Sequence, residues 1–331
     1  MLDTIAFYAA APFRRFVDMS DQFNIWSLAA ALAFAALWYA LGRPRRPLKR
    51  ARTFLAAAFP RKYFANVSVL LDLKLFFANS ILMATGVFMQ VVSGAKVSGA
   101  IEGGLESWLG ASPFVTPGGF ALSAAMTLGY LVLLDLAYWI AHWIMHRYPA
   151  MWEFHKLHHS AQVLTPLTEW RQHPVELLLF PMSISIVLGA FYGVMGYLFG
   201  AAAQPWSWFG LNVLVMAFMF TTLHLRHSHL WLTGPRWLGH IIQSPAHHQI
   251  HHSDKPVHFD TNLGLFLSIW DWTFGTLYIP TERESLAFGI GEEGHSHDGV
   301  LNAYWLPLLK AWRHAKPEPG KTPAPEALNR A

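Results

Sequence analysis

Histidine residues recur in this sequence at spacings that suit metal binding. They form one pair at i,i+4 and two copies of the pattern His-x-x-His-His: His142 and His146; His155, His158 and His159; and His248, His251 and His252. Residues three or four apart share one face of a helix, so each group can direct two or three imidazoles to one point. Imidazole is the commonest metal ligand in proteins and binds iron, zinc, copper and nickel. The spacing therefore predicts a metal centre.

The number of histidines predicts two metal ions. One ion binds about four to six ligands, and these three groups alone supply eight histidines. Further candidates follow the last apolar stretch, where His224 and His227 share a helical face. His227 is the favoured ligand, His224 comes next, and His229 fits that face less well. His247, beside the last group, remains open as a ligand.

Three other polar residues are expected near the metals. Asp135 precedes His142 by seven residues and lies on the same helical face, so it is expected to orient a ligating imidazole. The alternative is a carboxylate that a neighbouring helix satisfies. His173 and His258 are equally compatible with metal binding, substrate contact and a structural hydrogen bond.

The composition indicates a membrane protein. Hydrophobic residues make up 53% of the 331 residues, and charged residues make up only 13%, whereas soluble domains contain about 25% charged residues. The chain contains no Cys. Disulfides, thiolate zinc sites and Cys-ligated iron–sulfur clusters within it are therefore excluded.

Five apolar stretches predict the membrane helices. They are residues 25–41, 75–92, 120–141, 177–199 and 206–223, the last two forming a hairpin. A basic run at 43–52 marks its side of the membrane as cytoplasmic. Residues 93–117 are expected to form a loop on the far side. Alternating passage then places all the histidine groups on the cytoplasmic side.

The predicted fold class is all-α, an integral membrane helical bundle of about four to five spans that is capped by a cytoplasmic His-rich helical region. Residues 1–119 form an N-terminal membrane region with two span candidates and the basic loop. Residues 120–280 form the catalytic domain. Residues 281–331 form a cytoplasmic extension whose Pro- and charge-rich end is expected to be disordered.

The order of the histidine groups resembles the fatty acid hydroxylase superfamily, which includes sterol desaturases, C-4 methyl sterol oxidases and alkylglycerol monooxygenase. Neighbouring segments agree with that resemblance. They are residues 135–142 before the first group, Arg-Gln-His-Pro-Val-Glu at 171–176, Asp-Thr-Asn-Leu-Gly at 260–264 and Trp-Asp-Trp-Thr-Phe-Gly-Thr-Leu-Tyr at 270–278. The resemblance covers roughly residues 120–280.

The resemblance implies an O2-dependent di-iron monooxygenase that hydroxylates or desaturates a C–H bond of a lipid. The ligands would be His142, His146, His155, His158, His159, His227, His248, His251 and His252. His229 stands where relatives often have Asn, and His224 and His247 are additional. Two iron ions would be the cofactors, with no haem, flavin or nicotinamide bound by this chain.

The expected partners are a lipid, O2, the membrane and a separate electron donor similar to a ferredoxin or cytochrome b5, with no nucleic acid. The basic run at 43–52 could attract an acidic donor protein. The expected location is a bacterial inner membrane, with the active site on the cytoplasmic face.

Other functions remain compatible with the residues alone. One is another His-rich membrane desaturase or alkane hydroxylase. A second is a membrane protein that binds or transports metal, which should place ligands along a path at mid-membrane. A membrane metallohydrolase is the third, and it would work without O2 or reductant.

Overall fold

Helices dominate the part of the chain that the structure describes. This computed structural model describes residues 2–41, 54, 56, 58–87, 91, 93–112 and 118–315. In chain order, the α-helices of these residues are α1 (Leu2–Arg14), α2 (Ile25–Leu41), α3 (Arg61–Phe64), α4 (Val67–Ala84), α5 (Gly94–Leu109), α6 (Phe120–Arg147), α7 (Pro149–His159), α8 (Pro174–Phe199), α9 (Val213–Met219), α10 (Leu223–Arg226), α11 (Arg236–Gly239), α12 (Pro245–His251), α13 (Ile269–Phe274) and α14 (Val300–Ala315). Short 3-10 helices lie at Pro166–Trp170, Gly200–Ala202, Pro256–His258 and Gly291–His297, and an antiparallel hairpin joins β1 (Ser207–Trp208) to β2 (Leu211–Asn212).

Three of these helices are long and apolar enough to cross a membrane. They are α4, α6 and α8, the last extended by the 3-10 turn to residue 202. The shorter apolar helix α2 has 17 residues. With the buried histidines described below, these helices confirm the predicted all-α membrane fold.

The structure corrects three boundaries that were predicted from hydropathy. The stretch expected at 75–92 is a helix at Val67–Ala84, and the loop expected at 93–117 contains α5. Residues 206–223 are not one helix, because Phe209 and Gly210 form a turn with positive φ, 50° and 76°, between β1 and β2. The predicted basic run at 43–52 and the predicted disordered end at 316–331 lie outside the described residues.

Helix α5 forms against a row of glycines on α8. A Cβ atom at Gly193 would lie 2.7 Å from both Ile101 Cβ and the Ser98 carbonyl oxygen, and one at Gly189 would lie 2.8 Å from the Gly94 carbonyl oxygen. Only glycine permits so close an approach of two backbones, which is a common way for helices to pack within membranes. Hydropathy could not reveal α5, because its stability comes from this contact.

This packing gives a direct test. Gly193→Ala should destabilise the protein by about 1–3 kcal/mol, because the added methyl group overpacks the α5–α8 contact. The matched control is Gly103→Ala on α5, where a Cβ would meet nothing within 4 Å, and it should be neutral or stabilising by up to ~1 kcal/mol. Thermal unfolding of the detergent-solubilised protein measures both. Equal shifts for the two variants would contradict the observed packing.

Candidate metal centre

Nine histidines converge on two buried clusters. Cluster A consists of His142, His146, His155, His159 and His251, and cluster B consists of His158, His227, His248 and His252. Within each cluster, the candidate ligand atoms lie within 4.8 Å of one another. These are the same nine residues that the sequence put forward as ligands.

Each His-x-x-His-His group contributes to both clusters. On α7, His155 and His159 face cluster A, while His158 faces cluster B. The second group is reversed, because His251 faces cluster A while His248 and His252 face cluster B. A step of four residues returns to nearly the same helical face, whereas the intervening residue points to one side. The two helices therefore lie between the clusters and supply both.

The ring nitrogens of cluster B have the spacing of a metal site. The Nε2 atom of His227 lies 2.9 Å from that of His248, 3.1 Å from that of His252 and 3.2 Å from that of His158. The His248 and His252 Nε2 atoms are 3.1 Å apart. A tetrahedral ion with ~2.0–2.1 Å bonds would space its ligands by about 3.3 Å. Neutral imidazoles cannot satisfy all these contacts by hydrogen bonds, whereas a central cation can, so the residues fit a metal ion.

Cluster A is also arranged around inward-facing nitrogens. The Nε2 atoms of His142 and His155 are 3.0 Å apart. Those of His146, His159 and His251 are buried and have no hydrogen-bond partner among the described residues. The two clusters adjoin, since the rings of His159 and His252 stack with their centroids 4.5 Å apart. This arrangement suits two neighbouring ions.

Contacts of the outer nitrogen orient five of the imidazoles. In four of them an Nδ1–H group donates a hydrogen bond: His142 to Leu263 O (2.7 Å), His146 to Asp260 Oδ1 (3.0 Å), His155 to Glu176 Oε2 (2.6 Å) and His251 to Thr261 O (2.8 Å). In the fifth, His227 Nδ1 lies 2.9 Å from Glu169 Oε2 as an ion-pair contact. Because these acceptors require a proton on Nδ1, the lone pair of each ring is on Nε2 and points inward. Such partners fix the ring angle and raise the basicity of a ligand.

Burial keeps the cluster B imidazoles uncharged. It lowers the pKa of His158, His248 and His252 well below 6.5, and the neighbouring imidazoles lower each pKa further. The Glu169 carboxylate behaves in the opposite way. Burial alone would raise its pKa, but the Arg226 guanidinium, 2.6 Å away, holds that pKa well below its usual range. Neutral imidazoles and an anionic outer carboxylate are the protonation states that a cation needs.

Asp135 acts on the site through a loop. Its Oδ1 atom accepts hydrogen bonds from the backbone N–H groups of Leu265, Phe266 and Leu267, at 3.1, 2.6 and 3.1 Å. These contacts fix the loop whose Leu263 carbonyl accepts the hydrogen bond from His142 Nδ1–H. The expected direct contact between this carboxylate and a ligating imidazole is therefore replaced by an indirect one.

The remaining candidate histidines lie outside both clusters. His173 caps α8 and donates from Nε2 to Tyr304 O (2.8 Å), His224 bonds to Ser27 Oγ (3.0 Å), His229 packs on the Tyr63 ring, His247 bonds to Ser244 Oγ (2.8 Å) and His258 lies 3.3 Å from Glu284 Oε2. His173 and His247 thus serve helix N-termini. The positions of His224 and His229 are explained by packing against the N-terminal part of the chain.

Sequence reasoning missed several residues that hold the ligands. Glu176 was visible only as part of a resembling motif, although its place three residues after His173 is typical of a helix cap. Glu169 and Arg226 are far apart in sequence, and only the fold brings them together beside His227. The loop carbonyls that accept hydrogen bonds from the imidazoles cannot be recognised from the sequence.

A cavity of about 560 Å³ reaches both clusters from one side. Its lining includes His146, His159, His251 and His252. The rest of the lining combines apolar side chains with charged ones: Trp152, Phe259, Ile290, Lys156, Asp254 and Glu293. A molecule in this cavity would contact the metal-binding rings directly.

Comparison with known proteins gives a consistent result. Residues 127–276 match the family model described as fatty acid hydroxylase. The chain is 29% identical to "Ornithine lipid hydroxylase OlsE" of Rhizobium tropici, over 64% of this chain and 60% of that protein. It is 29% identical to the alkylglycerol monooxygenase of Xenopus tropicalis, over 47% of this chain and 31% of that protein. It is also 32% identical to "Delta(7)-sterol 5(6)-desaturase ERG3B" of Gibberella zeae, over 49% of this chain and 44% of that protein.

The chain therefore spans between about a third and three fifths of the length of these relatives. No solved structure matches it.

The outer carboxylates provide a test of the centre. Glu176 accepts from both His155 Nδ1 and the His173 backbone N–H, and a glutamine has only one oxygen for these two donors. Glu176→Gln should therefore weaken metal binding by about 10- to 100-fold. Glu282→Gln, at an exposed position, should leave binding unchanged. Titration of the metal-free proteins with a metal-binding dye in competition measures the difference, and unchanged affinity in Glu176→Gln would show that this contact does not support the centre.

Proposed function

We propose that the chain, whose residues 127–276 match the fatty acid hydroxylase family model, is an O2-dependent membrane oxidoreductase that hydroxylates or desaturates a C–H bond of a lipid. The observation that supports this most strongly is the convergence of nine histidines on two adjoining buried clusters. We propose all nine as ligands of two iron ions, one in each cluster. His224, His229 and His247 are not part of this ligand set.

The choice of metal follows from the reaction. Imidazole ligands alone would also suit zinc or copper. Zinc has no redox chemistry, whereas attack on an unactivated C–H bond with O2 requires electrons to pass through the metal. A pair of iron ions, when bound, supplies O2 activation and the removal of hydrogen from carbon. The product would be an alcohol where one hydrogen is replaced by a hydroxyl group, or a double bond where two hydrogens are removed.

The protein's own residues hold and shield this chemistry. Glu169 and Glu176 keep protons on the outer nitrogens of His227 and His155, which leaves both Nε2 atoms free to bind metal. Asp260 does the same for His146 at the wall of the cavity. Burial of the clusters excludes bulk water, so a reactive species formed there would meet the bound substrate instead of solvent.

The cavity determines which part of a substrate reaches the metals. Apolar Trp152, Phe259 and Ile290 suit an alkyl segment, and charged Lys156 and Asp254 suit a polar head group. An amphipathic lipid meets both requirements. The names of the relatives refer to an ornithine lipid, an alkylglycerol and a sterol, and we propose a lipid of this general kind as the substrate.

We further propose that electrons come from a separate ferredoxin- or cytochrome b5-like protein, since a chain without Cys cannot hold a Cys-ligated iron–sulfur cluster. The proposed location is a bacterial inner membrane, with the clusters on the cytoplasmic side. The basic run at 43–52 supports that orientation.

Two alternatives have less support. A metal transporter would need ligands along a path through the membrane, whereas cluster A combines the last two turns of α6 with the second half of α7. A member of another His-rich desaturase or alkane hydroxylase family would share the chemistry, but the match of residues 127–276 favours the fatty acid hydroxylase family.

The proposed function is tested by metal content and lipid products together. The wild-type protein should contain two iron ions and, with O2 and a reductant, should convert a lipid to a product heavier by one oxygen or lighter by two hydrogens. His155→Ala should lose iron and abolish turnover. His240→Ala should retain both, because His240 belongs to neither cluster and its ring contacts the Arg236 carbonyl and Trp272. Full conversion under strict anaerobiosis would overturn the proposal.

The cavity is tested separately from the metals. Ile290→Trp should fill part of the cavity without replacing a ligand, because Ile290 lines the cavity and belongs to neither cluster. We expect kcat/KM to fall about tenfold, or ~1.4 kcal/mol, while iron content stays at the wild-type value. Val257→Trp, at an exposed position away from the cavity lining, is the control. Unchanged kinetics in Ile290→Trp would mean that substrate enters elsewhere.

A further inference from the structure

We propose that the apolar helix α4 does not cross the membrane, and that α4 and α14 lie in the plane of the membrane surface with their exposed apolar faces against lipid. The inference concerns how the protein contacts the bilayer, and it does not depend on the proposed reaction.

The first two turns of α4 contact Arg171, which also contacts the metal-binding helix α7. Arg171 donates from Nη1 to Ser68 Oγ (2.9 Å) and to Asp72 Oδ1 (2.8 Å). The same guanidinium donates from Nε to the Leu157 carbonyl on α7 (3.0 Å), between the cluster ligands His155 and His159. The start of α4 is therefore tied directly to the metal-binding helix α7.

The other end of α4 contacts the residues on either side of Arg171. Asn79 donates from Nδ2 to the carbonyls of Trp170 and Gln172, both at 2.9 Å. Near the last turn, Met83 Sδ accepts a hydrogen bond from Arg15 (3.8 Å), and the Arg15 guanidinium lies 3.6 Å from the centre of the Trp170 ring. Residues 170–172 thus lie within reach of both ends of the helix.

These contacts do not suit a helix that crosses the bilayer. Ser68 and Met83 are 15 residues apart, so they are separated by about 22 Å along the axis. In a crossing helix that separation would cover most of the ~30 Å hydrocarbon core. The segment that both ends approach comes immediately before Pro174, where α8 begins. Both ends of α4 therefore lie at the depth at which α8 enters the membrane.

Other segments account for the crossings. α6 and α8 contact each other, with Ser183 Oγ donating to the Ala137 carbonyl at 2.8 Å. α5 runs along the outer part of α8, from Gly94 opposite Ser185 to Gly110, whose carbonyl accepts from Tyr197. Among the described residues, no side-chain hydrogen bond, ion pair or ring contact joins α4 to α6 or α8.

Residues 206–223 provide the last of the proposed passages of the chain through the membrane. Trp206 N donates to Thr127 Oγ1 (2.8 Å) near the outer part of α6, and Leu223 packs with Leu134 deeper along that helix. In the proposed arrangement the chain runs outward along α8 at α5, inward at α6, outward at α8 and inward at 206–223. This even number of passages leaves the clusters, α4 and α14 on one side.

Helix α14 extends the lipid-facing surface of α4. Leu301, Trp305 and Leu308 lie on one face at i, i+4 and i+7 and are 85%, 60% and 42% exposed. The opposite face, which includes Ala303, packs on α7 at Leu157 and on α4 at Leu71 and Leu75. Beside the exposed stripe, Tyr304 Oη donates to Asn79 Oδ1 at 2.6 Å. An exposed apolar stripe that includes Trp is typical of a helix lying in the membrane interface, and this one continues the exposed apolar face of α4 at Val67 and Leu70.

The absence of native Cys allows a labelling test with the full-length protein. Ala65→Cys and Thr85→Cys mark the two ends of α4, and Glu282→Cys and Glu106→Cys serve as references on the cluster side and on the outer end of α5. All four positions are exposed. A membrane-impermeant maleimide, applied to sealed vesicles of each orientation, should label the first three from one side and Glu106→Cys from the other. Labelling of Thr85→Cys together with Glu106→Cys would overturn the inference.

A depth measurement decides the matter if either end of α4 resists labelling. Spin labels at Leu70→Cys and Ile81→Cys should report equal depth, from their relative accessibility to O2 and to a water-soluble nickel complex. A crossing α4 would separate them by about 16 Å, and labels at Ile186→Cys and Val194→Cys on α8 should show such a depth difference, about 12 Å. A label at Trp305→Cys should be more accessible to O2. Preferential access of nickel there would show that α14 faces water or a protein partner, and would remove α14 from the inferred surface.

Discussion

The rest of the structure depends on one constraint, which is the burial of nine imidazoles beside one another. Buried polar groups must have partners, and the ring nitrogens that face one another at about 3 Å in cluster B cannot all be satisfied by hydrogen bonds between neutral rings, whereas a central cation satisfies them together. On the outer side of five rings, the surrounding structure supplies acceptors for the Nδ1–H groups. The N-terminus of α8 supplies Glu176, and the 3-10 helix just before Arg171 supplies Glu169. The loop after α12 supplies two backbone carbonyls and the Asp260 carboxylate. The helix ends and loops around the clusters are thus positioned so that an acceptor lies beside each of these ring nitrogens.

A second set of buried charges connects this centre to the apolar helices. Arg171 joins the end of α7 to Asp72 and Ser68 on α4, and Arg226, the residue before His227, pairs with Glu169. A buried ion pair contributes little net stability when it is complete, but loss of one partner is costly because the other charge remains buried. These pairs therefore fix the relative positions of the apolar helices and the metal centre more than they strengthen the fold. They also explain why α4, apolar enough to be mistaken for a span, carries polar residues along one face.

The sequence predicted the elements that depend on local spacing and failed for those that depend on tertiary contact. The i,i+3 and i,i+4 periodicity of histidine correctly indicated which residues come together, because helical geometry alone determines that. It could not indicate how His155 and His158 divide between the clusters, since this depends on where α12 crosses α7. Hydropathy located α6 and α8 well, yet it missed α5, whose stability rests on Gly189 and Gly193 of another helix. The partners of Asp135 could not be identified from the sequence for the same reason, because they are backbone groups about 130 residues away.

The division of each His-x-x-His-His group between the two clusters has a consequence for metal loading. Since α7 and α12 each present rings to both clusters, an ion that settles in cluster A also orders the rings that cluster B needs, and the reverse is equally true. Part of the conformational entropy of the second site is then lost when the first is filled, and the coupling is reciprocal by thermodynamic linkage. Occupancy should therefore be cooperative, with the half-loaded protein a minor species, so the two ions would be acquired and released as a pair.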